Sequence, residues 1–158
     1  MKLSAQEEFG LRCLIAIGRE GPEGSATIPQ IAEAEGLTSS YVAKLLAALR
    51  KGELVVSTRG KTGGYTLARP AEQITLHEVL TVLGGEFFDS HFCERHSGAQ
   101  EKCVHEGCCS LRPLWNNLQT AVNGVLADMN LSHLVNESAA TLQLQDEPRR
   151  AVAESIKS

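Results

Sequence analysis

Three helix starts are written into the first half of this 158-residue chain in the same four-residue form: Ser4-Ala5-Gln6-Glu7, Thr27-Ile28-Pro29-Gln30 and Thr75-Leu76-His77-Glu78. Each is a capping box, in which a hydroxyl and a carboxylate or amide three residues on satisfy amides that the first helical turn leaves unbonded. The first predicts a helix to about Gly18. The second tolerates its proline in the first turn and stops at Gly36, and the third runs to Leu83 before Gly84-Gly85. Between them, after Leu37-Thr38-Ser39-Ser40, the spacing of Val42, Leu45, Leu46 and Leu49 predicts a helix over Tyr41–Arg50. Leu54–Thr58 and Tyr65–Ala68 are β-like and flank the basic turn Arg59-Gly60-Lys61-Thr62-Gly63-Gly64. The expected fold is mostly α with a small β-hairpin.

Helix, tight turn, helix and a hairpin with a basic tip is the order of a winged helix-turn-helix. Its second helix fits the DNA major groove, and its wing reaches phosphates or the minor groove. Charge supports that assignment once it is divided. The chain totals −4, yet residues 39–70 hold six Lys/Arg against one acid, Glu53, for +5. Residues 71–158 hold six basic residues against twelve acids, for −6. A local anionic partner for the first segment, double-stranded DNA, is the expectation. Ser39, Ser40 and Tyr41 are positioned for phosphate, Lys44 for a base or phosphate, and Arg59 and Lys61 for the minor groove or backbone, with Gly63 permitting close approach. The bland alternatives are surface packing for Tyr41 and plain hairpin chemistry for the glycines.

Residues 86–109 follow neither helical nor strand period and hold four of the five cysteines: Cys93, Cys103, Cys108 and Cys109. Cys13 falls instead in an apolar helical stretch and reads as a small core residue. Met1–Ser4 runs directly into a charged helix pattern, and no apolar run nears the ~18 residues of a membrane span. A cytoplasmic protein without a membrane segment is expected, so the clustered thiols favour a metal, cluster or redox role over a disulfide framework. Beyond them, Leu111, Trp115, Leu118, Val122, Val125 and Met129 step by 4, 3, 4, 3, 4, a heptad seam that predicts a homodimer, with one long helix packed on its own domain as the alternative. The expected division is a DNA-binding domain at 1–83, a cysteine-rich loop at 84–110, a dimerisation helix with a short following helix at 111–135, and a disordered tail at 136–158.

The start Met1-Lys2-Leu3-Ser4, the segment Leu37–Arg50 with Ser39-Ser40-Tyr41, the wing Arg59–Tyr65 and the spaced cysteines before Trp115 resemble the IscR/NsrR family of bacterial transcriptional regulators. The likeness covers roughly residues 1–135, and the wing is similar to that of the redox-sensing RsrR-like members. It implies a homodimer on a palindromic promoter site, acting as a repressor, with an iron–sulfur cluster of 2Fe–2S or 4Fe–4S type sensing redox state, nitric oxide or iron. Cys93-x9-Cys103-x5-Cys109 resembles the family's three-cysteine loop with a longer first spacing. Arg112 falls where IscR-like members carry a histidine ligand, and arginine has no lone pair for iron. The family's other solution, a first-helix carboxylate from the partner subunit, matches Glu8. Ordinary pairing of Glu8 with Arg12, four residues on, is its rival. Arg12 stands where RsrR-like members use a histidine and so belongs behind the ligands, while Cys108, His96 and His105 are alternates.

Other chemistries remain open on these residues. Zinc could take Cys93, Cys103, Cys109 and His96 or His105, and the loop could work as a bare thiol–disulfide switch. An electron-transfer or cluster-carrier protein would have no use for the basic segment. The sequence holds no nucleophile–base pair, phosphate loop or dinucleotide fingerprint, so an enzyme is not expected.

Overall fold

The computed structural model describes residues 3–58, 63–86, 88, 92–105 and 107–136. The elements are α1 (Ala5–Arg19), α2 (Ile28–Glu35), α3 (Ser39–Lys51), β1 (Val55–Thr58), β2 (Gly64–Leu67), a 3-10 turn (Ala71–Gln73), α4 (Leu76–Gly84), α5 (Phe92–Arg95), α6 (Arg112–Ala127) and α7 (Leu131–Val135). All three capping boxes form with both of their hydrogen bonds. Glu7 turns its carboxylate back to accept from the Ser4 amide at 2.7 Å and is buried there.

α1, α2, α3 and α4 enclose one apolar core. Leu14 and Ile17 of α1, Ile31 of α2, the Val42–Leu49 stripe of α3 and Val79 and Leu83 of α4 are all buried in it. The helix-turn-helix bends at Gly36, whose left-handed backbone (φ 65°) closes α2. α3 starts at Ser39, two residues before the expected Tyr41, because Thr38 is the cap: its side chain accepts from the Tyr41 amide. Ser39 and Ser40 therefore lie in the first helical turn.

β1 and β2 pair antiparallel with Val55 opposite Leu67 and Thr58 opposite Gly64. A third segment joins them. Ala26 and Tyr65 exchange both backbone hydrogen bonds, at 3.0 and 2.8 Å, which ties the wing to the loop before α2. A Cβ at Gly64 would stand 2.9 Å from the Ala26 carbonyl oxygen, so glycine is required there by the approach of this segment.

α7 departs from the expected division. The expected division groups it with the dimerisation helix, whereas it packs on α1 and the 3-10 turn, with Leu131 fully buried in the same core. The Leu76 amide donates to the Met129 carbonyl at 2.9 Å and the Leu131 amide to Ile74 at 2.8 Å. The seam is revised by the same geometry. α6 ends at Ala127, so Met129 lies beyond it as part of that bridge, and Trp115 is half-buried against the preceding loop. What α6 leaves in solvent is Leu111 at its cap, Leu114, Leu118 and Val125, each about half exposed (49–54%). Among the described residues, no helix is long and apolar enough to cross a membrane. The expected tail lies outside them from residue 137 onward.

Candidate nucleic-acid interface and cysteine pocket

α3 presents Ser39, Ser40 and Lys44 to solvent, followed by Arg50 and Lys51 at its last turn. Its first-turn amides and these hydroxyls suit a phosphate, and Lys44 lies one turn along the same exposed side. Tyr41 is placed differently. Its ring is half-buried, edge-on to Phe9 of α1 with centroids 6.0 Å apart, so it anchors the start of α3 to α1. Gly63 is half-buried at the base of the wing. Arg59 and Lys61, the two expected wing contacts, lie outside the described residues.

α1 is joined to the helix-turn-helix a second time. Arg12 bonds the Glu35 carboxylate at 2.7 Å and donates to the Glu35 carbonyl at 2.9 Å, with its guanidinium 5.4 Å from the Phe9 ring centre. The rival pairing of Arg12 with Glu8 is thus overturned: the guanidinium is committed to Glu35, 23 residues away. Glu8 stands exposed on α1, and its carboxylate has no hydrogen bond or ion pair among the described residues. Beneath this face, burial first and the Glu35 charge second push the Cys13 thiol up to about 11. Cys13 is a fully buried core residue.

The loop after α4 is held to α6 by aromatic rings. Phe88 and Phe92 lie 4.9 Å apart, Phe92 meets Trp115 at 6.2 Å, and the Phe88 amide donates to Gln119 of α6 at 2.9 Å. α5, a single turn where no element was expected, carries Phe92 and Cys93. That anchorage brings Cys93, Cys103 and Cys109 around one cavity of about 500 Å³, which His105, Glu94, Glu101, Lys102 and Arg112 also line. Arg112, the first residue of α6, donates to the Cys93 sulfur at 3.6 Å.

The alternates sort by position. His96 stacks on Phe92 with ring centres 4.2 Å apart and uses Nδ1 against the Phe92 carbonyl, so it does not line the cavity. Cys108 is exposed on a neighbouring cavity with Pro113, Asn116 and Asn117. His105 alone of the three alternates borders the same cavity as the three cysteines. No three His, Cys, Asp or Glu side chains among the described residues stand close enough to share a single metal ion. Cys93, Cys103 and Cys109 all border that one cavity, and thiolates are donors that both iron–sulfur clusters and zinc take.

A family model for Rrf2, described as an iron-dependent transcriptional regulator, matches residues 3–137. The chain is 30% identical over 136 residues to the HTH-type transcriptional regulator IscR of Serratia proteamaculans, covering 86% of this chain and 80% of that one. It is 30% identical over 157 residues to IscR of Erwinia tasmaniensis, covering 96% and 91%. Among solved structures, T. potens IscR superposes with TM-score 0.67 at 27% identity over 86% of this chain and 87% of that one. CymR, the global cysteine regulator of B. subtilis, superposes with TM-score 0.67 at 28% identity over 87% and 98%.

Proposed function

This chain belongs to the Rrf2 family of transcriptional regulators, and from that premise we propose that it is a homodimeric repressor whose grip on a palindromic promoter is set by an iron–sulfur cluster. Cys93, Cys103 and Cys109 are the cluster's thiolate ligands, and Glu8 of the partner subunit, a harder and more labile donor, is the candidate for the remaining position. The observation that carries the reading is the gathering of those three cysteines around one cavity beside the first residue of α6. The names of the IscR relatives support it.

When bound, the cluster supplies an electron-accepting group that redox change, nitric oxide or iron limitation alters. The rest is done by the chain. Phe92 and Trp115 hold the cysteine loop to α6, whose exposed Leu111, Leu114, Leu118 and Val125 form the face for a second copy. On α1, Glu8 is followed by Phe9, which bears on Tyr41, and by Arg12, which grips Glu35. A pull on Glu8 is thereby delivered to the end of α2 and the start of α3. Because half-sites on DNA are a fixed helical turn apart, a small shift in the two recognition helices changes affinity.

A second reading is a thiol–disulfide regulator that holds no cluster. It is favoured by the adjacent Cys108 and Cys109 and by the likeness to CymR, which has also been solved in an oxidized form from Staphylococcus aureus. Anaerobic purification with iron, sulfide and zinc analysis decides between them. Iron and sulfide in comparable amounts, lost in Cys103→Ser, are expected. Protein that binds DNA with high affinity yet yields neither iron nor sulfide would overturn the cluster and leave the thiol switch.

A further inference from the structure

We propose that Arg112 is a positioning residue that tunes the cysteine pocket electrically, holding the Cys93 sulfur by a charge-assisted hydrogen bond and raising the reduction potential of the group bound through it. This rests on the cluster reading above. Arg112 occupies the sequence position where a ligand is expected by resemblance, but its side chain can only donate. The structure shows what it donates to: Nη2 lies 3.6 Å from the Cys93 sulfur.

Position makes this contact more than incidental. Arg112 borders both the cavity of the three cysteines and the neighbouring one containing Cys108 and Asn116, so it forms part of the wall between them. It is also the first residue of α6, and Leu111 before it provides no side-chain cap. The guanidinium that reaches the Cys93 sulfur is thus carried by the first turn of the helix. Lys102 also borders the cavity, and it is Arg112 that donates to the Cys93 sulfur there.

A donor on a ligating sulfur draws electron density from it and favours the more electron-rich state of the bound group, which is why hydrogen bonds to sulfur help set cluster potentials. The step is a one-electron reduction. The electron comes from an external one-electron reductant, here a reduced mediator dye, and is taken up by the bound group. Arg112 stays protonated, and no bond to it forms or breaks. Each added electron strengthens its attraction to the pocket, and because Arg112 is built into α6, that attraction is felt by the helix that faces the second copy.

The experiment is anaerobic potentiometric titration of the full-length protein, followed by absorption and by EPR. Arg112→Gln, Arg112→Lys and Lys102→Gln are compared with the parent. Arg112→Gln should lower the midpoint potential, Arg112→Lys should lower it by less, and Lys102→Gln should lower it least. A parent-like potential in Arg112→Gln, or a shift matched by Lys102→Gln, overturns the proposal while the cluster reading stands. Should Arg112→Gln lose its cluster, Arg112→Lys decides: lysine lacks the planar fork, so a potential below the parent's upholds the role and an identical one overturns it. A parent protein without iron and sulfide defeats the cluster reading itself and the proposal with it, a failure visible before any variant is made.

Discussion

Leu118→Asp separates two roles that one apolar helix face can have. In the single chain Leu118 is 50% exposed, as are its neighbours Leu114 and Val125 to within a few per cent, so the protomer's core does not depend on it. Burying the exposed half of a leucine contributes about 1 kcal/mol, half of the 1.5–3 kcal/mol for a whole side chain. A two-fold axis counts that loss twice, and a carboxylate left unpaired in the contact adds a few kcal/mol more. A total of about 5 kcal/mol corresponds to a dimer weakened by over a thousandfold, at 1.4 kcal/mol per tenfold. Sedimentation at micromolar concentration should find monomers, far-UV circular dichroism should find the parent's helix content, and affinity for a two-half-site DNA should collapse. A variant that remains dimeric at the parent's concentration would refute the reasoning, and so would one that is monomeric because it has unfolded.

Leu131→Ala should cost about 2–5 kcal/mol in urea unfolding, the range for emptying a leucine site in a packed core; a loss under 1 kcal/mol would mean that α7 is a surface attachment. Lys44→Ala should weaken DNA binding and take about 0.9 from the slope of log K against log salt if the contact is to phosphate. An unchanged slope with relaxed sequence preference would assign it to a base instead. The raised Cys13 value gives a pH test. Folding favours the neutral thiol, so this contribution is complete below the ordinary value of 9.0 and is lost as pH climbs toward about 11. Cys13→Ala should therefore lose less stability than the parent between those two values, and parallel pH profiles would count against a protonated core thiol.

What could be read from sequence was whatever local chemistry dictates. The capping boxes at Ser4, Thr27 and Thr75 each form, and the stripe Val42, Leu45, Leu46, Leu49 is buried throughout. α3 starts two residues before the expected Tyr41 because Thr38, Ser39 and Ser40 are all good caps and only the packed structure selects among them. Tertiary partners left little trace. Arg12 has a carboxylate one turn before it at Glu8, but the one it takes is at Glu35. Trp115 keeps step with the leucines of α6, although its ring belongs with Phe88 and Phe92 of a loop that has no period. Crowding of cysteines was plain in the sequence. That Cys93, Cys103 and Cys109 share a cavity while Cys108 does not follows from how α5 and the turn after His105 are folded.

The backbone pairing of Thr75 with Asn130 gives α6 a fulcrum. Its far end is tied to the DNA-binding body by the two bonds of that bridge, and its near end meets the cysteine loop through the rings of Phe88, Phe92 and Trp115. Sixteen residues make an arm of about 24 Å at 1.5 Å per residue. With its Asn130 end bonded, a displacement of Arg112 and the loop would swing this arm about that end more readily than slide it lengthwise. In the proposed homodimer a two-fold axis would mirror the swing in the second arm, so the pair would open or close like shears whose handles are the cysteine pockets.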